Sequence, residues 1–152
     1  MVYRPYPLNY PLLEELIEYS QGVLASKTIA GQKHRWACQR FLDDLARQGT
    51  NEFPYIFVPE KALHFLNWMK LFKHRKGILQ GQRIEPHIIQ KFIFGNIYGW
   101  VHKDTGYRRF SKAYWQVGRK NAKSQSLSCV GSYELMVLGE GTSEVYCAAT
   151  KT

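Results

Sequence analysis

The stretch that most constrains the fold is residues 114–125, Tyr-Trp-Gln-Val-Gly-Arg-Lys-Asn-Ala-Lys-Ser-Gln. Tyr114 to Val117 is an apolar and aromatic run, and it passes into a tight polar loop. The pattern predicts a strand, a loop and the start of a helix. A loop that ends in Lys-Ser and feeds a helix has the layout of a phosphate-binding loop. Its backbone N–H groups face an anion, the lysine reaches the outer phosphates, and the serine hydroxyl can ligate Mg²⁺. Against the pattern G-x-x-x-x-G-K-[ST], aligned on Lys123 and Ser124, the two glycine positions hold Val117 and Ala122, and Gly118 comes one place late. Taken by itself, such a basic loop is more often only a solvated turn.

The flanking sequence argues for more than a turn. Residues 126–138 carry Leu127, Cys129, Val130, Leu135, Met136, Val137 and Leu138, which predicts a buried helix against a sheet. Gly139-Glu140-Gly141 would stop it, as glycine past a helix end does. Glu144 to Ala149 is a second strand candidate. The expected order is strand, loop, helix, strand: one parallel, right-handed βαβ unit.

Composition bounds the rest. A chain of 152 residues is long enough for one domain with a core. A hydrophobic content of 45% excludes general disorder. No apolar run reaches the roughly 18 residues of a membrane span, so a soluble protein without a membrane partner is expected. The first residues, Met-Val-Tyr-Arg-Pro-Tyr-Pro, lack the apolar centre of a signal peptide. Cys38, Cys129 and Cys147 are odd in number and far apart. Each lies in an apolar segment, as reduced core cysteines of an intracellular protein would, with no disulfide framework or zinc site. The net charge of +9 favours polyanionic partners. Between Lys103 and Lys123 there are seven basic residues (Lys103, Arg108, Arg109, Lys112, Arg119, Lys120, Lys123) and one acid, Asp104. That run suits solvated surface charge, nucleotide phosphate or a nucleic-acid backbone, and charge alone does not separate them.

In chain order, residues 1–9 are a Pro/Tyr-rich lead expected to be loosely ordered. Leu12, Leu13, Leu16, Ile17, Val23 and Leu24 recur at helical spacing, predicting a helix over about 10–26. A second helix is expected over 32–47, with Ala37, Cys38, Phe41, Leu42 and Leu45 inward. Residues 53–57 read as an extended connector. Pro59 opens a third helix, as proline prefers at a first turn. Lys73 to Gly77 is a basic stop, and residues 80–83 form a loop. A fourth helix starts at Pro86, carries Ile88, Ile89, Phe92, Ile93 and Ile97, and ends near Gly99-Trp100. Lys103 to Gly106 is turn chemistry. His34, His64, His74, His87 and His102 have no metal-ligand spacing, and His34 with Cys38 reads as packing. There is no Gly-x-Ser-x-Gly elbow, and no acidic pair is placed for glycosidase chemistry. Trp36, Trp68, Trp100 and Trp115 read as core or edge anchors rather than a stacking platform.

Several blocks, in order, carry a family resemblance. They are Tyr19-Ser20-Gln21-Gly22-Val23 with Lys27-Thr28-Ile29-Ala30; Ala37 to Leu45; Phe53-Pro54-Tyr55; and Pro59-Glu60-Lys61-Ala62. They continue with Pro86 through Gln90-Lys91-Phe92-Ile93 to Gly99-Trp100, then Arg108-Arg109-Phe110, and finally Arg119-Lys120-Asn121-Ala122-Lys123-Ser124. Over residues 19–152 the chain resembles the N-terminal part of the large terminase subunit of tailed bacteriophages, in its HK97-like branch. In that family the phosphate loop typically reads Arg-Lys-Asn-Gly/Ala-Lys-Ser and lacks the usual first glycine.

The resemblance implies an ATPase domain of the additional-strand P-loop class, its Walker A loop at 118–125, which drives double-stranded DNA into a preformed capsid. ATP and Mg²⁺ would be the cofactors. By position, Gly118, Arg119, Lys120, Asn121, Ala122, Lys123, Ser124 and Gln125 would hold nucleotide. Lys123 would grip the outer phosphates and Ser124 would ligate the metal. Arg119 matches a loop arginine thought to stabilise charge at the γ-phosphate, which suits phosphoryl transfer. Gln90 matches a glutamine thought to read adenine, against a plainer reading as a helix-surface amide. DNA, the small terminase subunit, the portal protein and the remainder of a terminase chain are the implied partners, in the cytoplasm of a bacterial host.

The family pattern is not complete. Only 27 residues follow Gln125. None of them forms an apolar strand ending in Asp-Glu, and Glu134, Glu140 and Glu144 do not fit Walker B or catalytic-glutamate roles. A fragment, split-gene piece or remnant that binds nucleotide weakly and does not hydrolyse it alone is therefore expected. The fold class expected is α/β: a helical region over 1–102 with the adenine-side helix, then a partial P-loop core over 103–152, helix dominating by residue count. The alternative is a basic helical module that binds DNA or a partner without nucleotide chemistry, or a decayed prophage remnant without activity.

Overall fold

A computed structural model describes residues 2–75, 77–118, 121–138 and 144–148. The elements are α1 (Pro11–Leu24), α2 (Gln32–Arg47), β1 (Tyr55–Phe57), α3 (Pro59–Met69), α4 (Ile88–Gly99), β2 (Trp100–His102) and α5 (Lys123–Met136). They divide into two compact units: Met1–Leu66 with Pro86–Tyr114, and Asn67–Glu85 with Trp115–Thr152.

In the first unit α1 packs on α2 and α4, and α4 also meets both strands. The apolar stripe of α1 buries Leu12, Leu13, Leu16 and Val23, with Ser20 among them donating its hydroxyl to the Leu16 carbonyl at 2.7 Å. Arg35 ends this helix. Its guanidinium donates to the Val23 and Leu24 carbonyls at 3.0 and 2.9 Å, satisfying acceptors that a helix C-terminus leaves open. The core beneath is aromatic. Phe41 meets Phe57, Phe92 and Trp100 edge-on at centroid distances of 5.7, 5.7 and 6.3 Å, and Phe65 stacks on Tyr98 at 4.2 Å. Burying one such ring stabilises by about 1.5–3 kcal/mol. Such close packing needs small residues, and α4 supplies them. A Cβ on Gly99 would lie 2.6 Å from the Phe57 ring. Buried Asn96 bonds the Phe92 carbonyl at 2.8 Å and accepts from Trp100 Nε1 at 3.2 Å, so it enters the core with both ends satisfied.

The sheet is two-stranded and antiparallel, pairing Tyr55 with His102, Ile56 with Val101 and Phe57 with Trp100. The turn at 103–106 closes a hairpin on it. Gly106 adopts φ 73°, His102 N–H donates to the Tyr107 carbonyl at 2.9 Å, and Arg109 N–H donates to Trp100 at 3.0 Å. The lead segment is tied down rather than loose. Tyr3 N–H bonds the Lys103 carbonyl at 2.9 Å, and Tyr3 and Tyr6 pack on Ile56, Val58 and Val101. A hydrogen bond to Glu60 pushes the Tyr6 phenol up to about 12.

The second unit is slighter. α5 buries Ser126, Cys129 and Tyr133, one side of the helix at spacings of three and four. Trp68 Nε1 donates to the Cys129 carbonyl and the Ser132 hydroxyl, both at 3.2 Å, and its ring meets Tyr133 edge-on.

Several expectations are corrected here. Residues 112–118 and 144–148 have no regular secondary structure, and the parallel P-loop sheet is not seen among the described residues. A strand exists only when another segment takes up its N–H and C=O groups in a ladder, and among the described residues Tyr114–Val117 takes part in no ladder pairing. Within the expected connector at 53–57, Tyr55–Phe57 is a strand, paired with Trp100–His102, which is distant in sequence. α5 is also not buried on most sides: Leu127, Leu135 and Met136 are 51%, 49% and 70% exposed. Cys38 and Cys129 are buried, but Cys147 is exposed. The helix-rich α/β class itself agrees with what is observed.

Candidate phosphate-binding site

The loop begins at Gly118, whose carbonyl accepts from Asn121 Nδ2 at 3.1 Å. Ala122 then turns left-handed, with φ 54° and ψ 18°. Glycine is the residue that usually tolerates this conformation, and alanine there is strained by about 1 kcal/mol. The position aligned with the second glycine of the phosphate-loop pattern thus keeps that glycine's backbone geometry.

α5 starts at Lys123, within the stretch expected to open a helix, so Lys123 and Ser124 lie in its first turn with exposed side chains. No side chain caps this helix start. An uncapped N-terminus presents backbone N–H donors and the positive end of the helix dipole, which suits an anion. Arg119 and Lys120 lie outside the described residues.

Gln125 does something the sequence did not suggest. Its Nε2 donates to the Lys73 carbonyl at 3.1 Å, tying the first turn of α5 to the segment after α3. Behind it, burial raises the Cys129 thiol to about 11, so that thiol stays protonated and inert at neutral pH.

Gln90 sits in the other compact unit, at the third position of α4. Its Oε1 accepts from His87 N–H at 2.9 Å, while His87 Nδ1 accepts from Ile89 N–H, together a capping box. The signal was legible: a side chain able to accept, followed three residues later by glutamine ahead of an apolar run. Histidine in place of serine or threonine concealed it.

The same unit holds a charge cluster that the sequence left unassigned. Asp44 is 1% exposed and accepts from two arginines, Arg47 Nη2 at 2.7 Å and Arg109 Nη1 at 2.5 Å. The Arg109 guanidinium also lies over Phe53 and Phe110, 4.6 and 4.7 Å from their centroids. An open groove of about 380 Å³ runs beside it on α2, between Trp36 and Arg47, and contains none of the expected nucleotide residues. Among the described residues no three His, Cys, Asp or Glu side chains come together to hold a metal ion, and no helix is long and apolar enough to cross a membrane.

Residues 89–152 match the family described as terminase large subunit, ATPase domain. Over these residues the chain is similar to that family. The match takes in α4 from its first turn, the hairpin at 103–109, the candidate loop at 118–122 and α5, so it includes the uncapped helix start at Lys123. The blocks of resemblance before residue 89 lie outside it. No curated protein and no solved structure matches the chain.

Proposed function

We propose that this chain is the ATP-binding, N-terminal part of a terminase large subunit, the motor that packages double-stranded DNA into a procapsid. One observation carries the reading. The terminase match spans a loop whose left-handed Ala122 leads into an uncapped helix beginning Lys-Ser.

Residues 103–152 form the phosphate side in this reading, and residues 1–102 the helical region with the adenine-side helix. The backbone N–H groups of the α5 first turn and the Lys123 ammonium hold the β- and γ-phosphates. Gly118, Asn121 and Ala122 shape the loop, and Lys120 adds charge to it. Gln125 holds the helix start in place. Arg119 is the charge stabiliser of the phosphoryl group.

The donor set fits an anion well. For Mg²⁺ it offers one neutral oxygen, Ser124 Oγ, which suits a metal that takes most of its remaining ligands from phosphate and water. Bound Mg²⁺ would neutralise phosphate charge. Gln90 is the adenine reader, and contact through its Oε1 competes with the α4 capping box. The partners are duplex DNA, the small terminase subunit, the portal protein and the rest of the terminase, in the cytoplasm of a phage-infected or lysogenic bacterium.

Calorimetric titration with Mg-ATP tests the reading. Wild type is expected to bind and Lys123→Ala to lose binding, since a lysine contact to phosphate is made through its charge. Absence of binding in both proteins would overturn it and leave the basic DNA- or partner-binding module.

A further inference from the structure

Within the second compact unit, the chain between α3 and α4 carries a second basic feature. Lys70, Lys73, Arg75, Lys76 and Arg83 fall within residues 70–83, which contain no aspartate or glutamate. Lys70 pairs with Glu85 at 3.5 Å. Lys73, Arg75 and Arg83 are exposed, and no carboxylate among the described residues pairs with them.

Their backbone is built rather than loose. Lys73 and Arg83 face each other across an antiparallel bridge. His74 N–H donates to the Gln82 carbonyl, Gly81 N–H to His74 and Ile84 N–H to Phe72, each at 2.9 Å. Gly77 and Gly81, at φ 85° and 84°, supply the left-handed turns. Ile84 is buried at one end, while Ile78 and Leu79 are exposed at the tip. Gln125 bonds the Lys73 carbonyl, so the ribbon is fastened to the first turn of α5.

Lys73 and Arg83, directly opposite across the bridge, repel each other, and no carboxylate among the described residues pairs with either. A polyanion laid along the ribbon does relieve them.

We infer that the ribbon at 73–83 is a contact surface for the phosphate backbone of duplex DNA, held in register by Gln125. The inference rests on the packaging reading for its choice of polyanion, but it does not require nucleotide binding. It places an anion site at the start of α5 and a DNA contact on the 73–83 segment, joined through the Gln125 side chain.

The test is fluorescence anisotropy with a labelled random-sequence duplex, titrated with the full chain over a salt series. Neutralising the ribbon with Lys73→Gln, Arg75→Gln and Arg83→Gln is expected to weaken binding on the order of a hundredfold near 0.1 M salt, and to flatten the log–log salt slope by about 2.7, since each phosphate contact contributes about 0.9. A control removing the same charge from exposed positions of the other unit, Arg4→Gln, Lys27→Gln and Lys33→Gln, is expected to leave the slope nearly unchanged. Arg75→Gln alone should flatten it by about 0.9 and serves if circular dichroism shows the triple variant unfolded. Gln125→Ala, which removes no charge, is expected to weaken binding severalfold. Equal losses in ribbon and control, an unaffected ribbon variant, or no binding by wild type at low salt would each overturn the inference. Mg-ATP titration of the same proteins separates the two claims. Ribbon-dependent DNA binding without ATP binding sinks the nucleotide reading alone, and ATP binding without ribbon-dependent DNA binding sinks this one alone.

Discussion

The two compact units differ in what holds them. The first has an interlocked aromatic core from α1, α2, α4 and the hairpin, and it buries a carboxylate between two arginines. In the second, α5 hides a narrow strip of Ser126, Cys129 and Tyr133 and leaves Leu127, Leu135 and Met136 to solvent. The unit with the dense core contains few of the residues proposed to act on nucleotide. The thin one carries the phosphate loop and the basic ribbon. Packing fixes a scaffold, whereas ligand-binding segments need exposed donors and are drawn from regions of lower local stability.

The largest expected break in this contrast is Asp44→Ala. Removing the carboxylate leaves Arg109 with its charge uncompensated among aromatic rings. The expected cost is about 3–5 kcal/mol in denaturant melts, the range for breaking a buried pair. In the second unit Trp68→Phe removes the indole bonds to Cys129 and Ser132 and part of the ring packed on Phe72 and Tyr133, for about 1–2.5 kcal/mol. Comparable losses in the two variants would mean that the units are equally well held.

Next in size is Gly99→Ala. Its Cβ would meet three atoms of the Phe57 ring between 2.6 and 3.1 Å, and the surrounding core leaves the ring little room. A loss of about 1–3 kcal/mol is expected. Gly22→Ala in α1 meets nothing within 4 Å and should be neutral or stabilising by up to about 1 kcal/mol. If Gly99→Ala melts like wild type, the first core is looser than described.

A smaller effect concerns pH. Burial holds His34 below its ordinary value of 6.5, beside Tyr19 Oη at 3.0 Å and the Phe92 ring. The unfolded chain therefore takes up the proton more readily, so stability rises with pH. The contribution is complete above about 6.5 and is lost as pH falls through 6.5 toward the lowered folded value. His34→Gln should flatten this part of the stability–pH curve, and an unchanged curve would remove His34 as its source.

The smallest effect is expected at the phosphate loop. Ala122→Gly relieves a left-handed alanine but loosens the unfolded chain, for a net change within about 1 kcal/mol. Hydrogen exchange of the α5 amides is the sensitive readout. Slower exchange in the variant would confirm strain at Ala122, and faster exchange would show that the methyl group contributes packing.

Sequence alone determined the helices. The 3.6-residue periodicity placed α2 at its observed ends, Pro59 opened α3 as expected, and Lys103–Gly106 was legible as a turn, because these signals lie within a few residues of one another. The Lys-Ser loop feeding a helix was legible for the same reason, although the left-handed turn at Ala122 was not. The tertiary structure decided everything that needs a distant partner. Tyr55–Phe57 became a strand only because Trp100–His102 lies beside it, whereas Tyr114–Val117 joins no ladder among the described residues. Nothing near Asp44 in the sequence marks Arg109 as its partner, and the fold alone sets the two together. Gln125 was read as a loop residue near phosphate, and its bond to Lys73 spans 52 positions. Local backbone preference is written in adjacent residues, whereas pairing, burial and charge neutralisation depend on which segments meet, and only the folded chain brings them together.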